Sequence, residues 1–366
     1  MSKKRLDGLD IIRTLAIILV FVSHYMSVYV KHYLEEGIGS GRWFLFTGVR
    51  YLMILCVPLF LLLTGYLQTY RKPDRHHYSS IIPVMISWLV ISFASTFLMR
   101  KINGPGNVST LKAILKIFDF SFGYTWYVEM YLCLFLVLPF INILLDHLTQ
   151  KQFVGLLITV IALTGLYDLT RSFIVAGSYL TITPFRFVES YCITYYLIGA
   201  YIRRYKPKAN TLICIAVALS TLALEVFLNY VGGKGAEYAW WMFHSYSNVT
   251  HIVVSSCIFM ALYRIEDLPR ALSFPFREIS ACSFEMYLIS YVTDKFFYDG
   301  TIKKLLSGIP GISYLYQNTY WFALILNFIF VYICARILRL VLVPISKKLR
   351  SLCEKEKKKP VIQEAT

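Results

Sequence analysis

Long apolar segments recur along almost the whole chain and constrain the fold more than any other feature. Each holds roughly 15 to 25 residues, and about 20 apolar residues in a helix cross about 30 Å of hydrocarbon. Of the 366 residues, 57% are hydrophobic and 16% charged; soluble domains carry roughly 25% charged residues. The segments are residues 9–30, 43–67, 81–98, 126–145, 153–169, 188–202, 212–228, 242–263, 279–297 and 320–343. The sequence therefore predicts an all-α polytopic integral membrane protein with about ten transmembrane helices.

Lysine and arginine are unevenly divided between the two sets of connecting segments. The N-terminus, the loops after the second, fourth, sixth and eighth segments, and the C-terminus hold clearly more of them than the opposite loops do. Positive segments are retained in the cytoplasm during membrane insertion. This bias and an even number of crossings predict that both termini are cytoplasmic, in a multi-pass protein of the plasma membrane.

The formal charge of +16 raises the question of an anionic partner. Much of that charge lies in the predicted cytoplasmic loops and in residues 347–366, where anionic lipid head groups would attract it, so no nucleic acid is expected. We predict that residues 347–366 form a disordered basic tail behind a membrane domain of residues 1–346. In the longest outer loop, residues 109–118 are predicted to form a short amphipathic surface helix.

The first apolar segment contains two ionisable residues, Arg13 and His24. Arginine at the centre of a membrane helix costs about 2.5 to 3.5 kcal/mol, so its presence there needs an explanation. The offset of eleven residues is about three helical turns and about 16 Å along the axis, which places both side chains on one face. Arg13 is expected near the cytoplasmic mouth and His24 deeper, towards the outer half. Snorkelling of Arg13 and a helix-to-helix hydrogen bond of His24 are the alternative interpretations.

Five segments carry a resemblance to a known family. Residues 6–24 resemble the first helix of the membrane acyltransferase family three, whose mark is an arginine, ten residues and then a histidine; Arg13 and His24 fit that spacing. Residues 57–67 are similar to the second-helix motif, with Phe60 or Leu61 and Thr64-Gly65 as the counterparts. Segments 126–139, 195–201 and 283–290 resemble further parts of the family and extend the likeness over nearly the whole chain.

The resemblance implies a fold and an activity. Members have about ten membrane helices and transfer acyl groups, usually acetyl, from acyl-coenzyme A to surface carbohydrates. Residues 1–346 would then form a membrane acyltransferase domain that uses acyl-CoA, acetyl-CoA in the typical member, as co-substrate and a carbohydrate, free or lipid-linked, as acceptor. No metal is expected: His244 and His251 share a helix face, but the sequence shows no third ligand at a suitable spacing.

Two departures from the family pattern bear on individual residues. The usual Arg-x-x-Arg pair before the third helix is replaced by Arg71, Lys72 and Arg75, which are still expected to meet the coenzyme phosphates. Ser290 stands where many members have histidine. This leaves two acidic residues to orient His24, namely Asp294 and Glu129; for both, a helix-to-helix hydrogen bond is the alternative role.

Two functions from different classes are consistent with these features. In the first, His24 accepts the proton of a sugar hydroxyl, which then attacks the thioester directly; the sequence has no Gly-x-Ser-x-Gly elbow that would favour a serine nucleophile. In the second, the chain is a transporter or flippase of a lipid-linked saccharide or small anion, and the same polar residues line its path. The O-acyltransferase is the expected function.

Overall fold

The structure is a computed structural model that describes residues 6–103, 109–118, 125–173, 185–299, 304, 308–309, 311 and 321–355, and every regular element in these ranges is helical. The α-helices are α1 Asp7–Leu34, α2 Gly41–Ile54, α3 Cys56–Gln68, α4 Arg75–Ser79, α5 Ile82–Asn103, α6 Thr110–Phe118, α7 Trp126–His147, α8 Gln150–Phe173, α9 Tyr191–Tyr205, α10 Thr211–Gly232, α11 Val249–Leu262, α12 Arg270–Asp294 and α13 Phe322–Lys355. A 3₁₀ turn, Phe185–Ser190, precedes α9, and a π-helical turn, Lys295–Asp299, follows α12. The predicted all-α architecture is confirmed.

Within the described residues, seven helical stretches are long and apolar enough to cross a membrane, so the chain is a multi-pass membrane protein. They are Asp7–Tyr29, Gly41–Gln68, Arg75–Lys101, Trp126–His147, Gln150–Arg171, Thr211–Gly232 and Phe322–Glu354. They overlap seven of the ten predicted segments. The other three correspond to α9, which has 15 residues, α11, which has 14, and α12, which has 25 residues but several charged side chains. The total of about ten crossings stays a prediction.

Two predicted segments do not match the helices in where they begin and end, and local chemistry explains each difference. The segment 242–263 becomes helical only at Val249, because the Asn248 side chain accepts a hydrogen bond from the Thr250 amide and caps α11 there. The segment 43–67 is two helices that meet at Leu55. Pro58, in the first turn of α3, has no amide hydrogen to donate and is tolerated at that position.

Six segments lie together at one end of the bundle. We call it the ring end, because hydrogen bonds link these segments one to the next. They are the start of α1, the connections that follow α3, α7, α9 and α11, and the end of α13. The hydrogen bonds that join them are Leu268 to Asp7, Arg264 to Lys206, Arg204 to Asp146, Asn142 to Gln68, and Ser79 to Glu354. These are the segments that the charge bias assigned to one side. That this side is the cytoplasm stays a prediction.

Helices α3 and α9 cross in close contact through two glycines. A Cβ atom on Gly65 would overlap the carbonyl oxygen of Tyr196, and one on Gly199 would overlap the carbonyl oxygen of Leu62. Small residues let membrane helices approach backbone to backbone. Both glycines belong to segments that resemble the family. The close crossing of α3 and α9 explains physically why these two positions hold glycine.

The predicted surface helix and the predicted tail are each described in part. Helix α6 forms as predicted, and its Ser109 hydroxyl accepts a hydrogen bond from the Lys112 amide. Ala113 and Ile117 are its buried residues. Helix α13 continues to Lys355, past the predicted start of the tail at 347, and residues 356–366 lie outside the described residues.

Candidate active site

Helices α1 and α12 face each other through a row of hydrogen-bonded polar side chains, which we call the polar seam. Its groups, from the ring end towards the opposite or far end, are Asp7 with Arg277, Asp10 and Arg13 with Ser280, and His24 with Ser290 and Asp294. Helical periodicity explains the row, since residues three, four, seven or eleven apart share a face. Each α1 side chain of the polar seam therefore has a partner on α12, which offsets the cost of removing it from water.

His24 and Asp294 form the pair of the polar seam that lies farthest from the ring end. The Nδ1 atom of His24 donates to Oδ2 of the Asp294 carboxylate at 2.7 Å, and Ser290 Oγ lies 3.4 Å from the same nitrogen. The other carboxylate oxygen, Oδ1, accepts a 2.6 Å hydrogen bond from the fully buried Asn327 amide on α13. The carboxylate is thereby held at both oxygens, and it fixes the orientation of the imidazole.

Arg13 occupies the middle of the polar seam. Its Nη1 donates to Ser280 Oγ at 3.2 Å, and the Ser280 hydroxyl donates to the buried carboxylate of Asp10 at 2.7 Å. These contacts hold the half-buried guanidinium against α12. The cation is therefore part of the contact between α1 and α12.

A central cavity of about 380 Å³ lies alongside the polar seam. Both Arg13 and His24 line it, so the face sharing expected from the helical period is confirmed. The other lining residues come from α1, α3, α5, α7 and α12 and from the connection before α11: Val20, Ser23, Cys56, Val57, Phe60, Leu63, Thr64, Leu67, Gln68, Val84, Trp126, Tyr127, Tyr131, Tyr246, Ser283, Phe284 and Tyr287. The cavity thus runs from a cation near the ring end to an imidazole nearer the far end.

Aromatic rings form much of the cavity wall. Trp126 stacks on Tyr246 with ring centroids 5.7 Å apart, and Tyr127 meets Tyr287 edge to face at 6.0 Å. Four of the five segments that resemble the family contribute lining residues. The fifth supports the wall from behind, since the Tyr195 hydroxyl donates to the Tyr246 carbonyl oxygen at 2.7 Å.

The two acidic candidates have different positions. Asp294 reaches His24, as described above. Glu129 lies in the first turn of α7, where its side chain is exposed and outside the described lining of the cavity. Of the two carboxylates, Asp294 is the one that the structure brings to the imidazole.

The three candidate donor-binding cations lie beside the ring end of the cavity. Arg71 Nε donates to the side-chain oxygen of Gln68 at 3.2 Å, and Gln68 lines the cavity. Lys72 and Arg75 follow in the same connection, and both are exposed. The structure therefore brings Arg71 nearest to the cavity and leaves the other two at the surface.

Sequence reasoning missed two other groups of partners inside the bundle. Asn327 was not singled out, although an amide within the last apolar segment is a polar signal of the kind that identified Arg13. Arg339 on α13 donates two hydrogen bonds, of 3.0 and 3.2 Å, to the buried Glu285 of α12. This ion pair lies away from His24, whereas the Asn327 contact holds the partner of His24. It joins α12 to α13 and serves their packing.

His244 and His251 occupy separate environments. His251 is fully buried: its Nδ1 donates to the Ser245 carbonyl oxygen at 2.8 Å, and its Nε2 lies 3.3 Å from Glu225. His244 is exposed in the connection before α11. In the described part of the chain, no three His, Cys, Asp or Glu side chains are grouped as metal ligands would be.

Comparison with known proteins identifies a family. The family model described as an acyltransferase domain, the third of its kind, matches residues 6–339. No curated protein and no solved structure matches the chain significantly. The matched range includes the polar seam, the central cavity and the candidate donor-binding cations. The chain belongs to acyltransferase family three.

Proposed function

We propose that the chain is an O-acyltransferase of the plasma membrane that moves an acyl group, acetyl in the first instance, from cytoplasmic acyl-CoA to a carbohydrate hydroxyl. The acceptor is a cell-surface or lipid-linked carbohydrate. Membership of the family supports acyl transfer. The identity of the acyl donor, the identity of the acceptor and the location in the plasma membrane are proposed in addition.

The observation that carries the proposal is the 2.7 Å hydrogen bond between His24 and Asp294 at the wall of the central cavity. A histidine oriented by a carboxylate is a common general base in acyl transfer, because the carboxylate holds the useful tautomer and stabilises the imidazolium that forms. The geometry therefore supports chemistry at His24.

The reaction follows from this arrangement. Since Nδ1 is bonded to Asp294, Nε2 of His24 takes the proton of the sugar hydroxyl as its oxygen attacks the thioester carbonyl. The carbon–sulfur bond then breaks, the coenzyme leaves as a thiolate, and the imidazolium returns the proton to the sulfur. The products are the sugar ester and free coenzyme A, with no change in net proton count.

The cations account for the orientation of the donor. Arg13 lines the cavity about 16 Å along the helix axis from His24, towards the ring end. In the proposal, the narrow pantetheine arm lies along the cavity with its thioester near His24. The phosphates remain by Arg71, Lys72 and Arg75, where charge-assisted hydrogen bonds hold them. The basic tail attracts anionic lipids to the same side.

Labelled acetyl-CoA tests this function directly. Purified protein in lipid nanodiscs is incubated with radiolabelled acetyl-CoA and carbohydrate acceptors, and label in the carbohydrate is counted. We expect transfer with wild-type protein and none with His24→Ala. A transporter or flippase would instead move a saccharide across sealed vesicles without changing its mass, and that result without label transfer would overturn the proposal.

A further inference from the structure

A second cavity of about 430 Å³, which we call the side cavity, adjoins the central cavity. Its lining residues are Trp126, Val188, Glu189, Tyr191, His244, Ser245 and Tyr246. Trp126 and Tyr246 line both cavities, and their stacked rings form the shared wall. A molecule in the side cavity is therefore separated from the central cavity by one pair of aromatic rings.

The side cavity lies at the far end of the bundle. Its residues belong to the start of α7 and to the segments just before α9 and α11, whereas the opposite ends of these three helices lie at the ring end. His24 is also on the far side of Arg13 along α1. A ligand in the side cavity would thus reach His24 from the side opposite to the donor cations.

The lining combines aromatic faces with hydrogen-bonding groups. Tyr191 and Tyr246 meet with centroids 5.7 Å apart and extend the aromatic surface begun by Trp126. Glu189 offers carboxylate acceptors. His244 donates its Nδ1 hydrogen to the Trp241 carbonyl oxygen at 3.3 Å, so the neutral ring presents Nε2 as an acceptor.

These groups match the chemistry of a neutral sugar ring. A pyranose has an apolar face of C–H groups that packs on aromatic rings, and its edge carries hydroxyl donors that carboxylate and imidazole accept. The volume of the side cavity lies within the range of about 300 to 1,000 Å³ that small-ligand sites occupy. A carboxylate in the lining disfavours an anionic ligand at this position.

The wall of the side cavity is held by contacts outside it. The Ser245 carbonyl accepts from His251, the Tyr246 carbonyl accepts from Tyr195, and the Ser247 hydroxyl donates to Asp168. Three successive residues are thus tied to three different helices. A ligand that binds here meets a preformed surface and loses little affinity to ordering it.

We propose that the side cavity is the acceptor subsite, in which Glu189 and His244 bind the hydroxyls of a neutral sugar ring stacked against Trp126 and Tyr246. This inference rests on the proposed function and adds the acceptor class and the residues that select it. The acceptor enters from the far end, and its reactive hydroxyl extends around the edge of the shared aromatic wall towards His24.

Kinetics of two variants test the acceptor subsite. Glu189→Gln and His244→Ala are compared with wild type in nanodiscs, with radiolabelled acetyl-CoA and a panel of methyl and octyl hexopyranosides as acceptors. Glu189→Gln removes the charge that strengthens one hydrogen bond to the sugar, and His244→Ala removes an acceptor, so each variant should raise the acceptor KM about tenfold. The KM for acetyl-CoA should stay near the wild-type value.

Matched controls and a second readout complete the experiment. Glu237→Gln and His147→Ala change exposed residues of the same types outside the side cavity, and neither should alter the acceptor KM. Saturation-transfer NMR on His24→Ala protein should detect glycoside binding without turnover, and adding Glu189→Gln should reduce it. An unchanged acceptor KM in both variants, with active wild type, would overturn the subsite alone. Wild type that transfers no acetyl to any sugar would overturn the proposed function, and the subsite with it.

Discussion

His24 and Asp294 are 270 residues apart in the sequence, and the side chains meet at 2.7 Å across α1 and α12. Asn327 on α13 holds the second oxygen of Asp294 at 2.6 Å. Three helices from the two ends of the chain therefore build one hydrogen-bonded group around Asp294. Its position depends on the packing of the first, ninth and last predicted segments.

Replacing His24 by alanine should abolish carbohydrate acylation while leaving expression and membrane insertion near normal. A positioned general base contributes about 10² to 10⁴ in rate, far more than a small packing defect would remove. The measurement is kcat for acetyl transfer in well-folded protein. His147→Ala, which changes an exposed histidine at the ring end, is the control and should keep wild-type kcat. A His24→Ala protein with wild-type turnover would refute His24 as the base.

The two carboxylates that the sequence left open can be separated by amide substitution. Asp294→Asn keeps the shape of the side chain but removes the charge that stabilises the imidazolium, so kcat should fall by up to about 10⁴-fold. Glu129→Gln should leave kcat near wild type, because Glu129 is exposed and lies outside the described cavity lining. The reverse ranking of the two variants would contradict the assignment of Asp294.

The shared face of Arg13 and His24 was predictable because an eleven-residue offset follows from the helical period alone. The sequence narrows the partner of His24 to Asp294 or Glu129 but does not choose between them, since a contact across 270 residues depends on how α1 and α12 pack. Hydropathy likewise extended the segment 242–263 too far. Its first residues are apolar enough for a helix, but the Asn248 cap begins α11 later and leaves Tyr246 to form the cavity wall.

The family-like segments carried structural information that the residue types alone did not reveal. Thr64-Gly65 was recognised as a motif, yet only the structure shows that Gly65 lies against the backbone of α9. Arg71, Lys72 and Arg75 were treated as one cluster, although Arg71 alone bonds a residue of the cavity lining. Which side chain of a charged cluster reaches the cavity is set by the fold and not by charge.

Adding one methyl group at Gly65 should destabilise the protein. The Cβ of Gly65→Ala would overlap the Tyr196 carbonyl oxygen, and a backbone atom cannot move aside as the end of a flexible side chain can. Overpacking of this kind costs about 1 to 3 kcal/mol, which exceeds the gain of about 1 kcal/mol in helix propensity. Thermal unfolding followed by size-exclusion chromatography should show a lower midpoint.

Gly155→Ala provides the matched control for the crossing. Gly155 lies in α8, and a Cβ there would meet nothing within 4 Å. The helix-propensity gain then acts unopposed, so the unfolding midpoint should rise slightly or stay unchanged. Equal destabilisation by Gly65→Ala and Gly155→Ala would show that the α3–α9 contact is not as close as described.

The candidate donor-binding cations should differ in their effect on the KM for acetyl-CoA, and single substitutions to glutamine reveal the order. Arg71→Gln should raise the KM for acetyl-CoA most, because Arg71 contacts Gln68 at the cavity and the other two cations are exposed. Phosphate contacts act in the ground state and the transition state alike, so kcat should change little. Lys72→Gln and Arg75→Gln should raise the KM for acetyl-CoA less than Arg71→Gln does. The triple variant should raise it more.

Lys101→Gln changes an exposed cation at the far end of α5 and is the control, so it should leave the KM for acetyl-CoA unchanged. A fall in kcat at unchanged KM in Arg71→Gln would show that this arginine does not bind the donor.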